Sequence, residues 1–319
     1  MYKYGILSTA SIIDRFIGGI RDSKQGEVYA IASRTVEKAK ETAERLNIDV
    51  YYGSYEELFK DENIDIIYVP TVNSLHYRDV KNALMHHKHV VCEKPFTLTK
   101  EESVELFKLA KKNNCFLMEG QKCIFLPVNK HVKEMIQNEK VGKIKYVDLQ
   151  AGFPARFNYD HWMYDLSYGG GSFYGSAAYT LDYMQYLFDT HDLKINGSCL
   201  VCPTGSDELS HFEVVMNEDI MVSSTIAMNI PLKNKAVFYG DKGYIEVDQY
   251  WKSRYFDVYL YDGTHEHYEY PCVYEFVYEI DHVHDCLNHS LLTSPVIKPE
   301  ITIKTVELVE ELYNKWDLK

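Results

Sequence analysis

Residues 5–20 read GILSTASIIDRFIGGI. A short apolar run ends at Leu7. Ile12, Ile13, Phe16, Ile17 and Ile20 then recur at helical spacing. Strand, tight turn and helix in this order are where a dinucleotide-binding fold carries G-x-G-x-x-G. Here the three glycine positions fall on Ser8, Ala10 and Ile13. Glycine serves there because the turn is tight and backbone approaches a pyrophosphate closely. Serine and alanine are the next smallest residues, and the helix N-terminus still presents amides and a positive dipole end. The turn residues Ser8, Thr9, Ala10, Ser11 and Ile12 are therefore candidates for cofactor binding, with the hydroxyls of Ser8, Thr9 and Ser11 as added donors.

The alternation continues outward from this turn. VYAIAS (28–33) reads as a second strand, DIIYVP (65–70) as a third, HVVCEKP (89–95) as a fourth and CFLMEG (115–120) as a fifth. Thr35 is placed to cap the helix VEKAKETAERL, and Thr99 with Glu102 forms a capping box for a helix through about residue 113. Another helix starts near Asn73 or Ser74. Five strands joined by four crossover helices make a doubly wound parallel sheet of the Rossmann kind. After about residue 145 the pattern changes to strands with turn signals, notably Asp241-Lys-Gly243 and Asp262-Gly263. Helices interrupt or close it at about 175–188, 274–288 and 301–316. The expectation is an α/β domain over 1–121 and an α+β domain with a largely antiparallel sheet over 122–319.

Composition narrows the function. The 319 residues carry a formal charge of −13, which argues against nucleic acid as a partner. No apolar run is long enough to span a membrane, and MYKYGILSTAS does not read as a signal peptide. Seven scattered cysteines fit reduced thiols and a cytoplasmic setting. Cys199 and Cys202 have C-x-x-C form, but no second pair completes a zinc site, and they read as small residues of a strand. The histidines at 86, 87 and 89, at 265 and 267, and at 282, 284 and 289 read as solvated or capping residues, so no metal is expected.

Two further stretches carry chemistry. The second strand ends in Ser33-Arg34, without the carboxylate that usually binds a ribose 2′-hydroxyl in NAD sites. An arginine fork there pairs with a 2′-phosphate, which favours NADP over NAD. In TVNSLH (71–76) and EKPFTLT (93–99), Lys94 follows a buried strand at the carboxyl edge, where a lysine can act as general acid or base, with Glu93 beside it.

These residues resemble the glucose-fructose oxidoreductase and inositol dehydrogenase (Gfo/Idh/MocA) family. The resemblance runs from YGILSTA (4–10) through EKPFTLT and LMEG (117–120) to GGGSFYGSAAYTLDYMQYLF (169–188) and GDKGYIEV (240–247). It implies a Rossmann domain followed by an open sheet that often packs in a homodimer, a final helix returning to the first domain, and a cis Lys94–Pro95 bond. It implies cofactor contacts at Thr71, Asn73, His76, Glu93 and Lys94, and acid–base work at oxygen by Lys94. The sugar dehydrogenases of the family carry G-G-G-x-x-x-D-x-G-x-H-x-x-D. Here Gly175, Ala177 and Tyr179 depart from that pattern and Asp182 keeps it. Tyrosine at 179 resembles the NADP-dependent dimeric dihydrodiol dehydrogenase branch, where it partners the lysine, although that branch keeps the Asp that is Gly175 here. Arg156, His161, Trp162, Tyr179 and Asp182 are the candidates for the substrate side. The expected activity is hydride transfer between NADP and a secondary alcohol or ketone of a sugar, polyol or diol. An NAD-linked sugar or inositol dehydrogenase and a non-catalytic NAD(P)-sensing regulator are the alternatives.

Overall fold

The computed structural model describes residues 1–153 and 158–318. It divides into two compact units, Met1–Gln121 with Val273–Ile303, and Lys122–Cys272 with Lys304–Lys319. Among the described residues no helix is long and apolar enough to cross a membrane.

The first unit is built on six parallel strands, β1 (Tyr2–Leu7), β2 (Gly26–Ala32), β3 (Val50–Tyr52), β4 (Ile66–Val69), β5 (His89–Glu93) and β6 (Leu117–Gly120). Their order is β3-β2-β1-β4-β5-β6. The sheet is covered by helices, so its central strands are buried on both faces. Ile6, Ile31, Ile67 and Val90 have no exposed surface. Thr35 caps its helix through the Lys38 amide, and Thr99 and Glu102 form the expected box. The sequence pattern led to five strands. The sixth, β3, is three residues long and too short to show a period, and the helix Tyr55–Lys60 after it is equally brief.

The second unit holds an eight-stranded sheet. Its strands are β7 (Ile144–Gly152), β8 (Leu193–Val201), β9 (Asp207–Met216), β10 (Ile220–Ala227), β11 (Lys235–Gly240), β12 (Gly243–Asp248), β13 (Tyr255–Leu260) and β14 (His265–Glu269). The order is β14-β13-β12-β11-β7-β10-β9-β8, antiparallel except where β7 runs parallel to β10. One face carries the core, including Phe212, Val222, Leu149, Phe238, Ile245 and Phe256, none with exposed surface. The helix Ser172–Phe188 packs over β9 and β10 on this side. The helix Pro127–Gln137 was not read from the pattern, although proline at its first position and Val128 and Val132 four apart are its signals.

The opposite face is open. One register line crosses all eight strands: Lys194, Val215, Met221, Tyr146, Tyr239, Tyr244, Tyr259 and His265. Stacked rings connect Tyr146 with Tyr239, Tyr244 with Tyr259, and Tyr259 with His265. Met221, Tyr146 and Tyr239 remain 51%, 38% and 37% exposed.

A buried carboxylate starts the helix Ser172–Phe188. Asp207 accepts from the Ser172 hydroxyl at 2.6 Å, the Phe173 amide at 2.7 Å and the Tyr313 hydroxyl at 2.7 Å. Negative charge at a helix N-terminus is favourable, while burial pushes the Asp207 carboxyl pKa up. Gly171 makes this approach at φ +126°, and a Cβ there would lie 2.2 Å from the Asp207 carboxylate. Gly175, one turn on, has open space around it and ordinary helical backbone. Gly171→Ala is therefore expected to destabilise by about 2 kcal/mol or more. Gly175→Ala is expected to stabilise by about 0.5–1 kcal/mol. Denaturant midpoints decide this; the reverse order would contradict the packing described.

Candidate active site

In the first unit the cofactor candidates collect at the carboxyl ends of the strands. Sheet order reverses between β1 and β4, and a ligand crevice forms at such a switch point. Ser8 stands there at φ +108°, a region that glycine enters freely and serine does not. Its hydroxyl donates to the Pro70 carbonyl (3.2 Å) beyond β4 and accepts from the Ala10 amide (3.4 Å). The serine thus ties the turn to the neighbouring strand end, so its hydroxyl is already engaged rather than held out as an added donor. Thr9, Ala10 and Ile12 are half-buried and Ser11 is exposed. The helix Ile13–Asp22 has no side-chain cap, and the amides of Ser11 and Ile12 donate to no group among the described residues. An uncapped helix start of this kind suits a phosphate.

Ser33 and Arg34 follow β2, with Ser33 buried and Arg34 exposed. Arg34 lines a cleft of about 450 Å³ together with Ser54, Tyr55, Leu75, Arg78 and Asn82 among others. Arg78 was not singled out by the sequence. Its guanidinium donates twice to Asp79, at 2.7 and 2.8 Å, and Asp79 is 1% exposed. Burial raises the Asp79 carboxyl pKa against the pull of Arg78. The Tyr55 hydroxyl pKa is raised by burial, with Arg34 and Arg78 opposing.

The remaining candidates of this unit flank β4 and β5. Thr71 is half-buried and Asn73 is buried in the 3-10 turn Asn73–Leu75. His76 has no exposed surface; its ring nitrogens face the Pro95 carbonyl at 2.8 Å and the Thr71 carbonyl at 3.0 Å. Burial lowers its pKa, and a neutral imidazole donates to one of those carbonyls only. His76 therefore braces the loops that carry Thr71 and Pro95. Glu93 accepts from the Tyr68 hydroxyl at 2.6 Å. Lys94 follows it, half-buried, and the Lys94–Pro95 bond is cis.

In the second unit, Tyr179 and Asp182 share a face of the helix Ser172–Phe188. Tyr179 is half-buried, whereas Asp182 has no exposed surface. Its carboxylate therefore lies under the surface. Trp162 sits in the 3-10 turn Trp162–Tyr164, capped by His161 through the Met163 amide. That turn is tied to the helix start by the Gly171 amide, which donates to the Met163 carbonyl at 2.8 Å. Arg156 lies outside the described residues. A residue that the sequence reading missed completes this group. Lys122, 4% exposed, donates to the Tyr179 hydroxyl, with its ammonium 4.6 Å from the Tyr179 ring centre. A lysine inside the apolar run KCIF is the signal that was available, since lysine is seldom buried unless paired. Among the described residues no group of three or more His, Cys, Asp or Glu side chains is arranged to hold a metal ion.

Comparison with known proteins matches residues 2–121 to the Gfo/Idh/MocA oxidoreductase family, NAD-binding Rossmann fold, and residues 129–246 to the Gfo/Idh/MocA C-terminal domain. Trans-1,2-dihydrobenzene-1,2-diol dehydrogenase of Xenopus laevis is 29% identical over 309 residues, 92% of each chain. The mouse enzyme of the same name is 27% identical over 321 residues, 97% of this chain and 95% of its own. Among solved structures, an aldose-aldose oxidoreductase from Caulobacter crescentus superposes with a TM-score of 0.88 at 22% identity, over 98% of this chain and 96% of that one. KijD10, a 3-ketoreductase from Actinomadura kijaniata in complex with NADP and TDP-benzene, gives 0.87 at 21% identity, over 98% and 97%. With both of its domains matched in order along the chain, the protein belongs to the Gfo/Idh/MocA family of nicotinamide-dependent oxidoreductases.

Proposed function

We propose that this chain is an NADP-dependent dehydrogenase that interconverts a secondary alcohol and a ketone, with a trans-dihydrodiol or a sugar-like polyol as substrate. The observation that carries the cofactor choice is the cleft shared by Arg34 and Arg78 beyond the end of β2, where neither Ser33 nor Arg34 supplies the usual ribose-binding carboxylate. Two guanidinium groups suit a 2′-phosphate, and the uncapped helix start suits the pyrophosphate. The names of the relatives support the substrate class.

NADP, when bound, supplies or accepts the hydride. The protein must then manage the proton at the substrate oxygen, where charge develops as the hydride moves. Lys94 is the proposed proton donor or acceptor, with Tyr179 sharing that work. Trp162 is proposed to shape the substrate side, Asp182 to support it from beneath the surface, and His76 to hold the loop that carries Lys94.

We further propose a homodimer formed through the open face of the eight-stranded sheet. The line of exposed Met221, Tyr146 and Tyr239 supports it, because contiguous apolar surface of this kind marks an association site. All seven cysteines are free thiols, which fits the proposed cytoplasmic setting.

Three measurements test this reading. Fluorescence titration is expected to give tighter binding of NADPH than of NADH, and Arg34→Ala is expected to remove about 10–100-fold of that preference. Equal affinities in the unaltered protein would reject NADP. Lys94→Ala is expected to lower kcat by about 10²–10⁴-fold with little change in NADPH affinity; undiminished turnover would remove Lys94 from the chemistry. Tyr239→Glu is expected to convert a dimer to a monomer in light scattering, and an unchanged mass would exclude this face.

A further inference from the structure

Lys122 opens the segment after β6 and belongs to the short helix Lys122–Phe125. Cys123, Ile124 and Phe125 beside it have no exposed surface, and Lys122 itself is 4% exposed. Burying an ammonium is costly unless the charge is hydrogen-bonded. Its Nζ donates to the Tyr179 hydroxyl and lies 4.6 Å from the centre of the same ring. The Tyr179 ring also lies 6.2 Å from that of Trp251, which is 6% exposed. The tyrosine itself is half-buried. One turn earlier on the same helix face, Gly175 leaves open space where a side chain would stand. The tyrosine is therefore backed by a cation and flanked by room.

We propose that Lys122 is a positioning residue for the reaction: its ammonium orients the Tyr179 hydroxyl and stabilises the oxygen once that hydroxyl has lost its proton. This rests on the reading of Tyr179 as an acid–base group. An ammonium has three donors and no acceptor, so Tyr179 must accept from it. The tyrosine's own O–H therefore points away from the ammonium. In the reductive direction that O–H bond breaks and its proton goes to the substrate carbonyl oxygen, while the hydride supplied by the dinucleotide forms the new C–H bond. The phenolate left behind is held by Lys122 until solvent returns a proton. In the oxidative direction the phenolate takes the alcohol proton. A free phenol ionises near pH 10, and a cation donating to its oxygen favours ionisation.

The test uses the full-length chain labelled with [13Cζ]tyrosine, the Tyr179 resonance being identified by its loss in Tyr179→Phe. Lys122→Met removes the charge at similar length, and Lys122→Arg keeps it. The titration midpoint of Tyr179 is expected to rise by about one pH unit or more in Lys122→Met and to stay close to the original in Lys122→Arg. The pH limb of kcat is expected to move the same way, with kcat near neutrality reduced about 10-fold or more and KM for NADPH unchanged. If Lys122→Met does not fold, Lys122→Gln replaces it. An unmoved Tyr179 titration in the uncharged variant overturns the role of Lys122. Full turnover by Tyr179→Phe instead overturns the assignment of Tyr179, so the two failures are told apart.

Discussion

In a parallel sheet every strand ends on the same edge, and that constraint assembles the cofactor side of this protein. Ser8, Ser33, Thr71 and Glu93 are separated by dozens of residues in sequence, yet each lies within two residues of a strand's last residue. No local motif needs to bring them together. The parallel pairing of β1, β2, β4 and β5 does so, and the switch in strand order between β1 and β4 opens the crevice they line. Even the lost glycine is absorbed by this arrangement, because the end of β4 supplies the carbonyl to which Ser8 is tied.

The second unit follows another logic. Its sheet is half core and half open surface, with hydrogen-bonded polar groups sunk into the covered side. Asp207 serves three donors at a helix start. Asn129 donates to the Cys123 and Tyr250 carbonyls and accepts from Tyr183. Lys122 with Tyr179 belongs to the same class of buried polar contact, but its tyrosine reaches the surface. Buried hydrogen-bond networks hold side chains in one arrangement, which is what acid–base chemistry requires of its supports.

Much of this was legible in the chain. Strand and helix periods located the Rossmann unit, and the departures at Gly175 and Tyr179 separated the chain from the sugar dehydrogenase pattern. What escaped has physical reasons. β3 is too short to show alternation. His76 and Asp182 were legible as residue types at telling positions, but their burial is a property of the fold that no sequence window shows. Arg78 becomes interesting only because the Tyr55–Lys60 helix and the β2 end face it across a cleft. The tyrosine line on the open sheet draws on eight separate strands between Tyr146 and His265, and no window of sequence displays it.

The left-handed serine has one more consequence. A glycine at this position would leave the backbone more conformational freedom than a serine does. Here the Ser8 hydroxyl pins the turn to the end of β4 in the free protein. The ordering entropy is charged to folding rather than to recognition. A cofactor arriving at this turn meets a mould already set, so the strain that serine imposes on the backbone becomes preorganisation for the ligand.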